Sequence, residues 1–330
     1  MAGPVAMALM QSPLTPRAFS TQDAAAVLNL INADRIPGQP ECTETMLSEA
    51  VAGRSPGDGG RWAELGTLAV DVLCDGRGGI CGAVSYAHRA RDGAGLILWL
   101  HGREQPAMVA ALLDDADRHL RDALSVEAFG FASALTVGLE GLPKRHRPVT
   151  RQALLTRGFA EADLWRYMRR DLPAAGLPRV HQTRVLPAAE RPGWRVVVCG
   201  PDGALLGAAD VPRDDEARVP PAARLPGWQV EVRGPDGTPL GGAHTGMAAP
   251  GLGVLWWIGV DEPYRGQRLG WSLLASALDV LHEHGAREVI LFVDDDAPPD
   301  DPRWGRGAAN ALYDRAGFAE VDRLCSYRRS

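Results

Sequence analysis

The feature that most constrains this chain is residues 253–284, GVLWWIGVDEPYRGQRLGWSLLASALDVLHEH. Residues 254–260 are almost continuously apolar, as a strand covered on both faces must be. A turn is predicted at Asp261-Glu262-Pro263 and a loop at Arg265-Gly266-Gln267-Arg268-Leu269-Gly270. Beyond it Leu269, Leu273, Leu274, Ala277, Leu278 and Leu281 recur at helical spacing. Gly285 stands where a helix C-terminal glycine belongs. Glycines let a backbone approach a ligand, and a helix start offers N–H groups and partial positive charge. Phosphate binding and plain sheet covering both fit this pattern, and the pattern alone does not choose between them.

A length of 330 residues suggests about two domains, and 45% hydrophobic with 23% charged residues supplies a core for each. The formal net charge of −6 argues against a general nucleic-acid binder. Five cysteines occur, Cys42, Cys74, Cys81, Cys199 and Cys325. Their number is odd and none has C-x-x-C spacing, so neither a disulfide framework nor a zinc motif is indicated. Scattered thiols of this kind suit a reducing cytosol. The start MAGPVAMALMQ lacks the basic region of a signal peptide, and no apolar run reaches membrane-spanning length. The chain reads as soluble and cytoplasmic, a monomer or homodimer with no membrane or nucleic-acid partner.

Taken in order, the pattern predicts a strand at 14–20, helices at 23–33 and 43–52, and a hairpin of strands 65–73 and 80–88. A strand at 95–100, a helix at 106–124, a strand at 129–137, a short helix at 151–157 and a strand at 165–170 complete the first half. A Pro/Gly-rich connector at 172–178 marks the domain boundary. The second half opens with a repeat: PGWRVVVCGPDGALLGAA at 192–209 returns as PGWQVEVRGPDGTPLGGA at 226–243. Each copy reads as strand, turn, strand, giving two hairpins in one sheet. After the helix of 253–284 come a strand at 288–293, an acidic loop (Asp294, Asp295, Asp296, Asp300, Asp301), a helix through Leu312 and a strand at 322–328. The fold class is α/β with a mixed sheet.

Two motifs carry a resemblance. R-G-x-x-L-G at 265–270 follows an apolar strand, and L-Y-x-x-x-G-F runs from Leu312 to Phe318 one strand later. In this order and spacing the second half resembles the GCN5-related N-acetyltransferase (GNAT) family. The first half is similar in a degenerate form: it has no glycine loop, and Leu154 occupies the place of the tyrosine before Gly158-Phe159. The resemblance implies two tandem GNAT domains, 1–172 degenerate and 177–330 intact.

It further implies acetyl-CoA as cosubstrate, no metal, and transfer of acetyl by direct attack of a small-molecule primary amine. The N–H groups of Gln267, Arg268, Leu269, Gly270 and Trp271, beside Gly266, would hold the pyrophosphate, with Arg265 or Arg268 adding charge. The family usually has glycine where Arg268 stands. The strand carrying Ile258, Gly259 and Val260 would pair with the pantetheine arm. Tyr313 is the candidate general acid for the leaving thiolate, its other reading being a ring packed between helix and sheet. His244, Asp261, Glu262 or a water relay are open choices for the base. The family often carries an asparagine where Arg306 stands, and Asn310 does not fill that register. The acidic loop reads as solvated or as a mouth for a cationic amine. Lys144-Arg145-His146-Arg147 reads as a solvated loop. A coenzyme-A binder without turnover and a protein N-acetyltransferase are the alternative functions.

Overall fold

Local chemistry starts most elements where the sequence places them. Thr43 accepts from the Met46 N–H (3.2 Å) and caps a helix. Ser20 and Asp23 form a capping box ahead of another. Asp75 accepts from the N–H groups of Arg77 and Gly79 (2.9 and 2.8 Å) and closes the first hairpin. The computed structural model describes residues 13–54, 59–131, 141–174, 186–187, 194–199, 227–233, 238–294 and 307–330.

The first half contains β1 (Thr15–Ala18), α1 (Ala24–Ala33), α2 (Glu44–Val51), α3 (Gly59–Trp62), β2 (Leu65–Cys74), β3 (Ile80–Arg89), β4 (Ala94–His101), α4 (Pro106–His119), β5 (Ser125–Ala128), β6 (Leu142–Pro143), α5 (Pro148–Thr156) and β7 (Ala160–Asp171). The second contains β8 (Leu186–Pro187), β9 (Trp194–Cys199), β10 (Gly227–Arg233), β11 (Pro239–Ala249), β12 (Leu252–Val260), α6 (Leu269–Glu283), β13 (Glu288–Asp294), α7 (Gly307–Arg315) and β14 (Ala319–Arg329). The plan β2-β3-β4-α4-β5 recurs as β10-β11-β12-α6-β13, so the mixed α/β class read from the sequence is present in two copies.

Two expectations shift. The strand foreseen at 129–137 lies earlier, at β5, because Phe129 turns to φ 59° and stops it; residues 132–140 lie outside the described residues. Helix α4 ends at His119 rather than 124, since the Leu124 N–H instead bonds the Gly93 carbonyl (3.0 Å) and aligns β5 beside β4. The second repeat copy folds as the expected hairpin, β10 with β11. From the first copy only β9 is described, and it runs parallel to β10. The acidic loop beyond Asp294 and Arg306 also lie outside the described residues. Among the described residues no helix is long and apolar enough to cross a membrane.

All strands join one sheet, ordered β1-β2-β3-β4-β5-β14-β7-β13-β12-β11-β10-β9-β8, with β6 on β14. Its centre exchanges the closing strands of the two halves. β14, the end of the second half, pairs with β5 of the first (Tyr327 opposite Ala128). β7, the end of the first half, pairs with β13 of the second (Leu291 opposite Met168). Packing follows: Met168 joins the core under α6, and Cys325 and Tyr327 join the core under α4. Arg166 of β7 holds the exchange from one face, bonding Asn310 and Asp314 of α7 (both 2.8 Å) and Glu320 of β14 (2.9 Å).

Asp322 holds it from within. Its buried carboxylate accepts from the N–H groups of Arg145 and His146 (both 3.0 Å), from the Arg323 N–H (2.7 Å), and lies 2.7 Å from His146 Nδ1. Burial pushes its pKa up, but the His146 bond and the backbone donors outweigh it and hold it below the usual carboxylate range. The segment read as a solvated basic loop is therefore a structural joint. A carboxyl held low gives stability that is present above its unfolded pKa and lost as pH falls through the folded one. Asp322→Ala should cost about 3 kcal/mol at pH 7, with the gap to the parent narrowing as pH falls below about 4, the unfolded aspartate value. Urea unfolding across that range checks this, and a constant gap would refute the linkage.

Candidate active site

Parallel strands that share a short ladder and then diverge leave backbone groups without partners on their facing edges. β12 and β13 pair only from Leu252 with Glu288 to Leu255 with Leu291. Past this point β12 stays on β11 (Val260 opposite Gly241) while β13 stays on β7 (Asp294 opposite Trp165). Beside the diverging end of β12, between the loop that follows it, α6 and α7, lies a cavity of about 1070 Å³, large enough for an extended cofactor.

Its lining brings together Ile258, Gly259, Val260, Arg265, Gly266, Arg268, Leu269, Gly270 and Trp271, with Asp261, Glu262 and Tyr264 at the strand end. Of the cofactor residues chosen from the sequence, only Gln267 is not part of this lining, and it is exposed. Walls of Ile258, Val260, Leu269, Trp271 and Leu312 are apolar, whereas Arg265, Arg268 and Arg315 bring cations. Arg315 and Ala308-Ala309 escaped sequence reasoning: they come from α7, whose approach depends on Arg166 in a distant strand.

The loop is shaped for anion contact. Gly266 has φ 80°, and Arg268, at the N-cap of α6, sits in the left-handed region at φ 63°. A glycine would occupy that conformation without penalty, and a side chain costs about 1 kcal/mol there. Trp271 N–H turns back to the Arg268 carbonyl (3.0 Å). The Arg265 Nε donates to the Val260 carbonyl (3.1 Å) and ties the loop to the strand end. N–H groups at a helix start with two arginines beside them are chemically suited to an anion.

Above the wedge, the Trp257 ring is half exposed (51%) and tilts on His244 at 5.2 Å. It lies over Gly259, where a Cβ would come within 2.5 Å of the indole. His244, one of the candidate bases, is thus beside the cavity mouth through Trp257. Tyr313 is placed differently. It is buried (5%), packs edge-on against Phe318 at 5.7 Å, and belongs to the core rather than the lining; its neighbour Leu312 lines the cavity.

The first half repeats the wedge and fills it. β4 and β5 pair only from Ala94 with Ser125 to Ile97 with Ala128. There Arg147 donates to the Leu100 carbonyl (2.8 Å) and to Glu104 (2.6 Å). Glu104 accepts from the N–H groups of Val149 and Thr150 (2.7 and 3.0 Å) at the start of α5. His101 Nδ1 lies 3.2 Å from Asp34, burial pushing the imidazole pKa down. Arg103 and Glu104 both have φ 52°, so the left-handed turn of this loop falls on residues other than glycine.

Residues 202–318 match the acetyltransferase (GNAT) family model. The whole chain shares its fold with a GCN5-related N-acetyltransferase from Sphaerobacter thermophilus (TM-score 0.56, 16% identity, 96% of this chain and 95% of that one). It does so equally with a tandem GNAT protein from the clavulanic acid biosynthesis pathway (TM-score 0.59, 16% identity, 96% and 97%). Residues 202–318 are thus similar to a GNAT domain, and the chain as a whole has the fold of these proteins. Within it, a stretch of 81 residues is 35% identical to the mycothiol acetyltransferase of Corynebacterium aurimucosum. A stretch of 73 residues is 40% identical to that of Clavibacter sepedonicus. These matches span about a quarter of each relative's length, 24% and 21%.

If Arg268 is kept for its charge, Arg268→Gly should raise stability by about 1 kcal/mol while weakening coenzyme A binding several-fold. Denaturation and calorimetry check both; unchanged affinity would leave the side chain without a role at the phosphate.

Proposed function

We propose that the chain transfers acetyl from acetyl-CoA to a primary amine of a small molecule, with 177–330 as the catalytic copy and 1–172 as the degenerate one. The observation that carries this is the open wedge beside β12, joined to the glycine loop of α6, opposite a first-half wedge filled by Arg147 and Glu104. In this reading the pyrophosphate rests on the loop from Gly266 to Trp271, and Arg265 and Arg268 offset its charge. The pantetheine arm runs along Ile258, Gly259 and Val260 as an added strand. The thioester then lies toward Trp257, where a neutral amine attacks and N–H groups of β12 meet the oxyanion. The proton the amine sheds passes to His244, Asp261, Glu262 or a water relay, and the leaving thiolate takes one from Tyr313, which solvent restores. The similarity to mycothiol acetyltransferases supports a small-molecule acceptor.

Burial of Tyr313 outside the lining favours one rival, a coenzyme-A binder without turnover. Thiol release from acetyl-CoA against aminosugars, polyamines and amino acids separates the two. Turnover on one class, lowered about a hundredfold in Tyr313→Phe, supports the enzyme with its acid. Normal turnover in that variant removes the acid role alone. Tight binding with no turnover on any amine leaves the binder. In either case calorimetry should give one equivalent of acetyl-CoA per chain; two equivalents would mean the first wedge opens.

A further inference from the structure

Helix α4 carries, on the first half of the chain, a group of side chains that the acetyl-transfer reading does not use. Asp115 and His119 stand one helical turn apart, and Asp71 of β2 faces them. One ligand atom from each lies within 4.8 Å of the others. His119 Nε2 is 3.4 Å from Asp71 Oδ2 and 4.0 Å from Asp115 Oδ1. Around a single ion with bonds of about 2.0–2.1 Å, ligand atoms stand roughly 3.3 Å apart in a tetrahedron. The His119–Asp71 pair already has that spacing, and the widest pair, within 4.8 Å, would have to close on the ion.

Asp115 supplies an independent observation. It is 1% exposed, and its Oδ2 has no hydrogen-bond partner. Its Oδ1 is met from outside by Arg118 (2.5 Å), whose side chain is mostly in solvent. Burial and the adjacent Asp71 push the Asp115 carboxyl above its usual range. Two neighbouring buried carboxylates cannot both stay charged without a cation or a proton between them. An imidazole nitrogen faces both carboxylates. That imidazole is also held in place. Its ring stacks on Tyr86 at 4.8 Å, and the Tyr86 hydroxyl donates to Asp71 Oδ2 (2.6 Å). Supporting groups of this kind commonly orient metal ligands.

We propose that Asp71, Asp115 and His119 form a divalent metal site of the zinc type that locks α4 onto β2 and β3. One imidazole and two carboxylates suit zinc, and two negative charges balance a divalent ion. The half-exposed His119 leaves an approach from solvent and room for a water as fourth ligand. Nothing in this site lines the coenzyme cavity. The sequence gives no zinc motif because the ligands are scattered, the only local trace being Asp115 and His119 on one helix face.

The test uses the full chain, stripped with a chelator and titrated with zinc chloride by calorimetry and thermal melting. One equivalent should bind and raise Tm. His119→Gln, at a half-exposed position that tolerates change, should weaken binding at least tenfold and abolish the Tm rise. Asp115→Asn should do the same, and acetyl-CoA binding should be unaltered in both. No uptake by the parent chain, or uptake that His119→Gln leaves intact, overturns the proposal. The first result would assign the carboxylate pair a shared proton, and the second would point to thiols such as Cys74 or Cys81.

Discussion

Strand β7 depends on hydrogen bonds to β14 on one edge and β13 on the other, and the rest of the molecule is arranged by that double pairing. Each of the two copies would close its own sheet if its last strand returned beside its fifth. Instead β14 lies on β5 and β7 lies on β13. A backbone edge left open in the middle of a sheet is costly, so neither half can release the other's strand without exposing a full ladder. Side chains reinforce the constraint. Asp322 of β14 gathers the backbone N–H groups of Arg145 and His146, and Arg166 of β7 gathers α7 and β14. Thus the helix that walls the cavity in the second half is held by a strand of the first.

This gives the first-half copy a physical task that does not require its own ligand. Both wedges arise from the same parallel ladder followed by divergence. In the first, the Arg147 guanidinium takes the Leu100 carbonyl, an acceptor on the diverging part of β4, while Glu104 takes the N–H groups at the start of α5. The backbone is satisfied from within, and a rigid wedge results. In the second, the corresponding space is left to solvent or a ligand, with arginines on its rim. One half can remain open because the other, locked to it through the exchanged strands, is closed.

How much of this the sequence discloses depends on the range of the interaction. Helix α6, the apolar strand β12 and the loop from Arg265 to Gly270 are local patterns, legible from periodicity, glycine and turn residues. The part of the cavity lining drawn from β12 and the start of α6 lies in these patterns, although Gln267 does not line it. The strand exchange was not legible, since β7 and β14 have the same apolar alternation whichever fifth strand they join. Arg147 read as part of a solvated cluster because a pairing with Glu104 across the fold leaves no local trace. Arg315 was missed for a related reason: on its own helix it is one more basic residue in a last turn. The burial of Tyr313 against Phe318 shows the limit from the other side, since both readings of that tyrosine use the same motif.

Charge placement completes the contrast between the copies. In the first wedge cation and anion are both supplied by the chain and both buried, Arg147 against Glu104 and Asp34. Removing one partner of such a group strands a charge away from water, so the plug is self-consistent only as a whole. In the second wedge the arginines are exposed and no buried carboxylate lies among the lining residues; Asp261 and Glu262 stand in solvent at the strand end. Exposed cations carry little desolvation cost, so they can wait for an anion that arrives with its own charge. Arg268 extends the argument to the backbone. Its left-handed conformation carries a steric penalty that glycine would avoid, and it adds a guanidinium at the start of α6, which opens onto the cavity. A loop selected only for its turn would use glycine there; a loop selected to meet an anion gains from the arginine.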